Sequence, residues 1–211
     1  MKCFANKSIV QWFSLFAILG MIFYFLHVII GTTLYPGYNW LTQAVSDLTA
    51  DSAPSRDVAL RLTSVYAIFT VVATLMFVVF IIGKVSKGFR LGIYLFAGMQ
   101  MTSAIGYALF PLSESGLSNS FQDVMHMVVT LIVVLLSIAA MILMGSSAIK
   151  NKQHHTFGIV TFVFLGLMLL GSILTGVVPQ SYFGVAERIS VYAVVVYSAV
   201  LSIFIFSFPS E

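Results

Sequence analysis

Charge is scarce in this chain of 211 residues, with ten lysines and arginines and seven acids making up 8% of the total. A soluble core of this size is wrapped in a charged shell, so a composition that is 60% hydrophobic excludes an ordinary soluble domain. Cysteine is scarcer still. Cys3 stands alone, which excludes an internal disulfide and a thiolate cluster for a metal, and no apolar segment precedes it to form a lipidation signal. The four histidines include no facing mid-span pair, which argues against a bis-histidine haem. No apolar run carries a charge near its centre, which argues against an ion-coupled pump with a midplane relay. The net charge of +3 sits in short tracts beside apolar runs, without an aromatic-lined basic face, so it reads as a topology signal and not as a nucleic-acid footprint.

What the chain has instead is long uncharged runs. At about 1.5 Å rise per residue, some 20 residues span the hydrocarbon core of a bilayer. Runs of that kind occupy residues 8–30, 60–83, 91–110, 121–144, 157–178 and 189–208, separated by turn chemistry such as Tyr35-Pro36-Gly37, Lys87-Gly88 and Pro179 through Gly184. The first is too long for a signal-peptide core and lacks a cleavage site after it, so it is expected to stay as an anchor. The expectation is a single all-α domain over 1–211 with six transmembrane helices.

Charge orients it. Alternation through six spans puts Lys2, Lys7, Lys84, Lys87, Arg90, Lys150 and Lys152 on one side, and only Arg56, Arg61 and Arg188 on the other. The first side is cytoplasmic by the positive-inside rule, and both termini lie there. Six acids (Asp47, Asp51, Asp57, Glu114, Asp123 and Glu187) share the outer side, leaving Glu211 at the cytoplasmic end. The first outer connection, residues 31–59, is long for a link between helices. Leu41, Val45 and Leu48 within it predict a short interfacial helix over 39–49, lying as a lid on the outer mouth.

Ionisable groups at a span's rim are costly and point to function. They gather at the outer rim: His27 near the end of the first span, Ser46-Asp47 in the loop, Asp123 and His126 opening the fourth span, and Glu187-Arg188 opening the sixth. Asp123, His126 and Thr130 are spaced to share one helix face, as are Thr63, Tyr66, Thr70 and Thr74 on the second helix and Gln100, Ser103 and Tyr107 on the third. Lipid penalises such stripes, so they are expected to face inward on a polar pocket. Acids at helix N-termini also serve simply as caps, and Ser and Thr stripes as packing surfaces.

Three chemistries fit these residues. His27, Asp47, Tyr107, Glu187 and Arg188 are candidates to bind a membrane lipid or small amphipathic ligand. Ser46 or a rim threonine as nucleophile, His126 as base and Asp123 or Asp47 as its orienter are candidates for intramembrane hydrolysis or acyl transfer on lipid. His27, Asp123 and His126 are a weak candidate zinc set, and no cofactor is otherwise expected. A structural or partner-binding role is the remaining alternative.

The tract Tyr35-Pro36-Gly37-Tyr38 followed by Val45-Ser46-Asp47-Leu48, then Gly106 through Phe110-Pro111, His126, and Gly184-x-x-Glu187-Arg188, resembles the integral-membrane family known only as domain of unknown function 998. That resemblance covers nearly the whole chain. It implies a six-span bacterial or archaeal membrane domain, which places the protein in the plasma membrane, with recurring polar positions at Ser46, Asp47, His126, Glu187 and Arg188. It implies no activity.

Overall fold

The computed structural model describes residues 7–114, 116 and 120–209; Lys2, Cys3 and Glu211 lie outside them. Among the described residues the regular structure is entirely helical, with no strand. Helix α1 (Ile9–Ser14) starts from a capping box in which Ser8 and Gln11 satisfy one another's backbone N–H groups. A single turn at Leu15 joins it to α2 (Phe16–Leu34), and together they form a rod of 26 residues. There follow α3 (Arg56–Phe80), α4 (Lys87–Leu109), α5 (Phe121–Ile149), α6 (His155–Val177) and α7 (Phe183–Ser207), with 3-10 turns at Ser46–Thr49 and Gln180–Tyr182. Each of the six uncharged runs falls on one of these long helices.

Five of them are long and apolar enough to cross a membrane: Ile9–Leu34, Arg56–Phe80, Phe121–Ile149, His155–Val177 and the stretch Gln180–Ser207. The sixth, α4, has 23 residues and the same reach but is diluted by Gln100, Thr102, Ser103 and Tyr107. Neighbours in sequence pack side by side, and α2 and α3 also touch α7, which closes the bundle. Its core is rich in aromatics and methionine, with Phe77, Phe96, Met141, Met144, Met168 and Tyr197 fully buried. The Tyr197 hydroxyl is satisfied by Thr161 at 3.2 Å. The outward faces are apolar too: Ile68, Ile105, Leu131, Val163, Ile173 and Ile203 are each more than half exposed. A bundle apolar inside and outside is built for a lipid solvent.

The first long connection departs from expectation. In place of one amphipathic helix over 39–49, a turn at 39–43 precedes the four-residue 3-10 helix Ser46–Thr49. The i, i+4, i+7 spacing of Leu41, Val45 and Leu48 suits a helix. Backbone groups that a helix would pair internally are instead taken by side chains: the Trp40 and Gln43 carbonyls by Arg188 and the Val45 N–H by Glu187, both of α7, and the Ala44 N–H by Asp47 of the segment itself. Leu48 is fully buried against Gly31, so the segment is a plug seated in the bundle's mouth and not a helix lying on it.

Candidate functional site

The connections α2–α3, α4–α5 and α6–α7 meet at one end of the bundle, here called the loop end. Backbone bonds stitch them: Asp51 N–H to the Leu112 carbonyl at 2.8 Å, Ser52 N–H to Ser113 at 3.3 Å, and Gly184 N–H to Leu41 at 2.9 Å. The candidate residues from the sequence gather at or just below this end in three neighbourhoods, with His27 apart on α2.

The first is a latch on α7. Arg188 is buried, and its Nη1 donates at 2.8 Å to the carbonyls of Trp40, Gln43 and Gly184. Its Nη2 donates to the Tyr38 hydroxyl, which in turn donates to the Ala44 carbonyl at 2.7 Å. Arg188 therefore grips the plug by its backbone. Among the described residues, the ion pairs are those of Arg56 with Asp51 and Asp57, so the acceptors of Arg188 are all neutral. Glu187, its neighbour, accepts from the Val45 N–H at 2.9 Å. Gly184 makes this approach possible, since a Cβ there would stand 2.3 Å from the Gln43 carbonyl oxygen and 2.6 Å from that of Trp40. Burial pushes the Tyr38 phenol up to about 12; the Arg188 charge opposes this, and the Glu187 and Asp47 carboxylates reinforce it.

In the second, buried Asp47 accepts from the Ala44 N–H at 2.9 Å and from the Gly116 N–H at 3.1 Å, tying the plug to the α4–α5 connection. Ser46 is half-buried at the start of the 3-10 turn, where its carbonyl accepts from Thr49. Gln122 adds a bridge that the sequence reading missed, donating at 2.8 Å both to Asp51 and to the Pro111 carbonyl. Its one signal was a polar residue in the first turn of α5, beside Asp123.

The third lies between α4 and α5, and here the shared face of Asp123, His126 and Thr130 meets a common neighbour. Buried Asp123 accepts from the Ser113 N–H and hydroxyl at 2.8 and 2.9 Å. His126 Nδ1 lies 2.8 Å from the Phe110 carbonyl, and Thr130 lies 3.1 Å from the Tyr107 hydroxyl. The Tyr107 ring packs on the His126 imidazole at 4.8 Å. A carbonyl only accepts, so in this bond Nδ1 carries the proton and Nε2 the lone pair. The position a triad gives to a carboxylate is held by the Phe110 carbonyl, while Asp123 accepts from Ser113.

His27 sits apart on α2. Its Nδ1 meets the Tyr24 carbonyl at 3.1 Å, and its Nε2 is buried without a hydrogen-bond partner among the described residues. The structure does not gather His27 with Asp123 and His126 as ligands: no group of three or more His, Cys, Asp or Glu side chains among the described residues is arranged to hold a metal ion. The inward stripe on α3 does form, with Thr70 and Thr74 buried, yet their hydroxyls bond their own helix's carbonyls, which serves packing. Gln100 is likewise buried, 3.5 Å from Ser198.

Residues 18–203 match the model of a family described as a protein of unknown function, DUF998. No curated protein and no solved structure matches the chain.

Proposed function

The chain belongs to the DUF998 family, and on that premise we propose that it is a six-crossing protein of the prokaryotic plasma membrane that binds a lipid or small amphipathic molecule at its loop end. Both termini and the lysine-rich connections face the cytoplasm, α4 is the remaining crossing, and the loop end opens to the outer leaflet. The plug is a lid, and Arg188 with Glu187 is its latch.

The observation that carries this reading is Arg188. A buried cation whose hydrogen-bond acceptors are all neutral, with the Glu187 carboxylate as its charged neighbour, can exchange those acceptors for an anion's oxygens. Three of those acceptors, Tyr38, Trp40 and Gln43, belong to the segment that must move to admit a headgroup. Lifting the lid exchanges the two carbonyls and the Tyr38 hydroxyl for headgroup oxygens. Asp47 and Glu187 hold the lid's backbone from two sides and set its resting position, while Tyr107 and His27 lie deeper.

Lipid retained by the purified full-length chain, identified by native mass spectrometry, tests this. Wild type is expected to carry a bound lipid that Arg188→Gln loses and Tyr38→Phe, which loosens the lid and leaves the cation, keeps. Equal retention in Arg188→Gln overturns the reading, as does retention of nothing by wild type. Orientation is tested separately by a membrane-impermeant thiol reagent in a Cys3→Ser background, which should label Ser52→Cys from outside intact cells and spare Lys152→Cys.

A further inference from the structure

Lifting the plug uncovers two side chains of α7 at once. Arg188 gives up its bonds to the Trp40 and Gln43 carbonyls and to Tyr38. Glu187 gives up the Val45 N–H, which it holds at 2.9 Å. The two residues lie within electrostatic reach of one another, yet among the described residues they form no ion pair. Side chains at i and i+1 of a helix do not face each other, so each is tied to the closed plug through partners of its own. The open site therefore presents a guanidinium and a carboxylate side by side. We propose that its ligand is zwitterionic, a phosphate carrying a primary ammonium on a short linker as in a phosphoethanolamine headgroup, with the phosphate on Arg188 and the ammonium on Glu187. This rests on the reading that Arg188 receives a headgroup at the loop end.

Charge balance argues against a plain anion. Asp47, in the 3-10 turn of the plug, is a second carboxylate within electrostatic reach of Glu187, so two acids stand around the one cation of the latch. A ligand with negative charge alone gains Arg188 but meets Glu187 stripped of its Val45 donor, and a charged acceptor left without a donor is costly. A ligand that brings its own cation removes both penalties. The kind of cation follows from the bond that is lost. Glu187 accepts from an N–H in the closed state, so what replaces Val45 has to donate. A primary ammonium has three N–H donors, as on lysine, whereas a trimethylammonium has none. Tyr24 and Tyr192 also lie within electrostatic reach of the Glu187 carboxylate, and aromatic rings attract an ammonium and not an anion.

The test places the full chain in phosphatidylcholine nanodiscs with equal minor fractions of phosphatidylethanolamine and phosphatidylglycerol of matched acyl chains, and native mass spectrometry counts each lipid retained. The two minor headgroups share the phosphate and differ in the amine. Wild type is expected to favour phosphatidylethanolamine about tenfold, a preference of about 1.4 kcal/mol for one charge-assisted hydrogen bond. Glu187→Gln keeps an oxygen for the Val45 N–H and removes the charge. It should bring the two lipids to within about twofold of one another, chiefly by raising phosphatidylglycerol, with thermal stability held. A loss of both lipids in Glu187→Gln at an unchanged ratio would make Glu187 a purely structural group and overturn the assignment. Arg188→Gln should lose both lipids. In a second arm, glycerophosphoethanolamine is titrated into pure phosphatidylcholine nanodiscs. A thermal upshift that Glu187→Gln removes identifies the free headgroup as a further source of the ligand; retained phosphatidylethanolamine without an upshift identifies the lipid. If wild type retains phosphatidylglycerol as readily as phosphatidylethanolamine, or phosphatidylcholine in preference to its share of the bilayer, this inference falls and the loop-end site stands. Retention of no lipid by wild type removes the site and this inference together.

Discussion

The two ends of this bundle hold their connections in different ways. At the loop end, backbone groups of the connections themselves are met by side chains of other segments: Arg188 on Trp40 and Gln43, Asp47 on Gly116, Asp123 on Ser113. At the other end, the connections 81–86 and 150–154 close on their own turns, and stacking does the rest, as in the Phe157–Phe204 pair with centroids 3.8 Å apart. There the amino-terminal segment is tied to α7 by Gln11 and Lys7 on the Phe208 carbonyl. The difference teaches where polarity is committed. Polar side chains at the loop end are spent inside the protein, so a ligand there has to displace something.

Removing the latch breaks the contrast most severely. Arg188→Ala strips donors from the Trp40, Gln43 and Gly184 carbonyls and from Tyr38 at a buried site, and is expected to cost about 4 kcal/mol. Hydrogen exchange should localise the loss to residues 38–48, with α4 and α6 unchanged. Uniform acceleration across the bundle would mean that the plug and the helices are one cooperative unit, and the distinction between the ends would fall.

Overfilling the latch comes next. At Gly184 the obstructing atoms are the backbone oxygens of Gln43 and Trp40, which cannot rotate away. Gly184→Val is expected to lower stability by about 2 to 3 kcal/mol and to unseat the plug with Arg188 still present. Retention of wild-type exchange in 38–48 would show that the plug has slack.

The helices were legible because lipid imposes a simple rule, about 20 uncharged residues to a crossing, and the runs obey it. Their edges shifted where charge and helix coincide: α3 begins at Arg56 and α4 at Lys87, because a charged residue at the rim continues the helix without entering the apolar run. That the rim groups share one end was legible from charge sign alone. Their pairing was not. Asp123 and His126 share a face as their spacing requires, but the partners on that face are Ser113 and Phe110, which no spacing rule selects. The plug was misread for a related reason: periodicity reports which side chains are buried, and Val45 and Leu48 are buried, but side chains elsewhere decide which backbone hydrogen bonds hold them there.

A smaller effect sharpens the comparison through pH. Tyr38 has its phenol pushed up to about 12 from an ordinary value of 10.0, with burial the main cause. The fold favours the neutral phenol, so its stabilising contribution is intact below pH 10.0 and is lost as pH rises through about 12. An ultraviolet difference titration of wild type against Tyr38→Phe should therefore show no tyrosinate step near pH 10 and one near pH 12. A step at the ordinary value would place the hydroxyl in water and remove it from the latch.

The smallest effect belongs to the opposite end. A Cβ at Gly88 would lie 2.7 Å from the Ser147 hydroxyl oxygen, about as close as the Gly184 contacts, but this neighbour hangs on a single rotatable bond. Replacing glycine within α4 gains about 1 kcal/mol of helix propensity, and turning Ser147 to another rotamer costs a comparable amount or less. Gly88→Ala should therefore leave stability within about 0.5 kcal/mol of wild type by thermal unfolding. A loss of stability on the scale of Gly184→Val would instead mean that Ser147 cannot turn away and that this end is packed as tightly as the other.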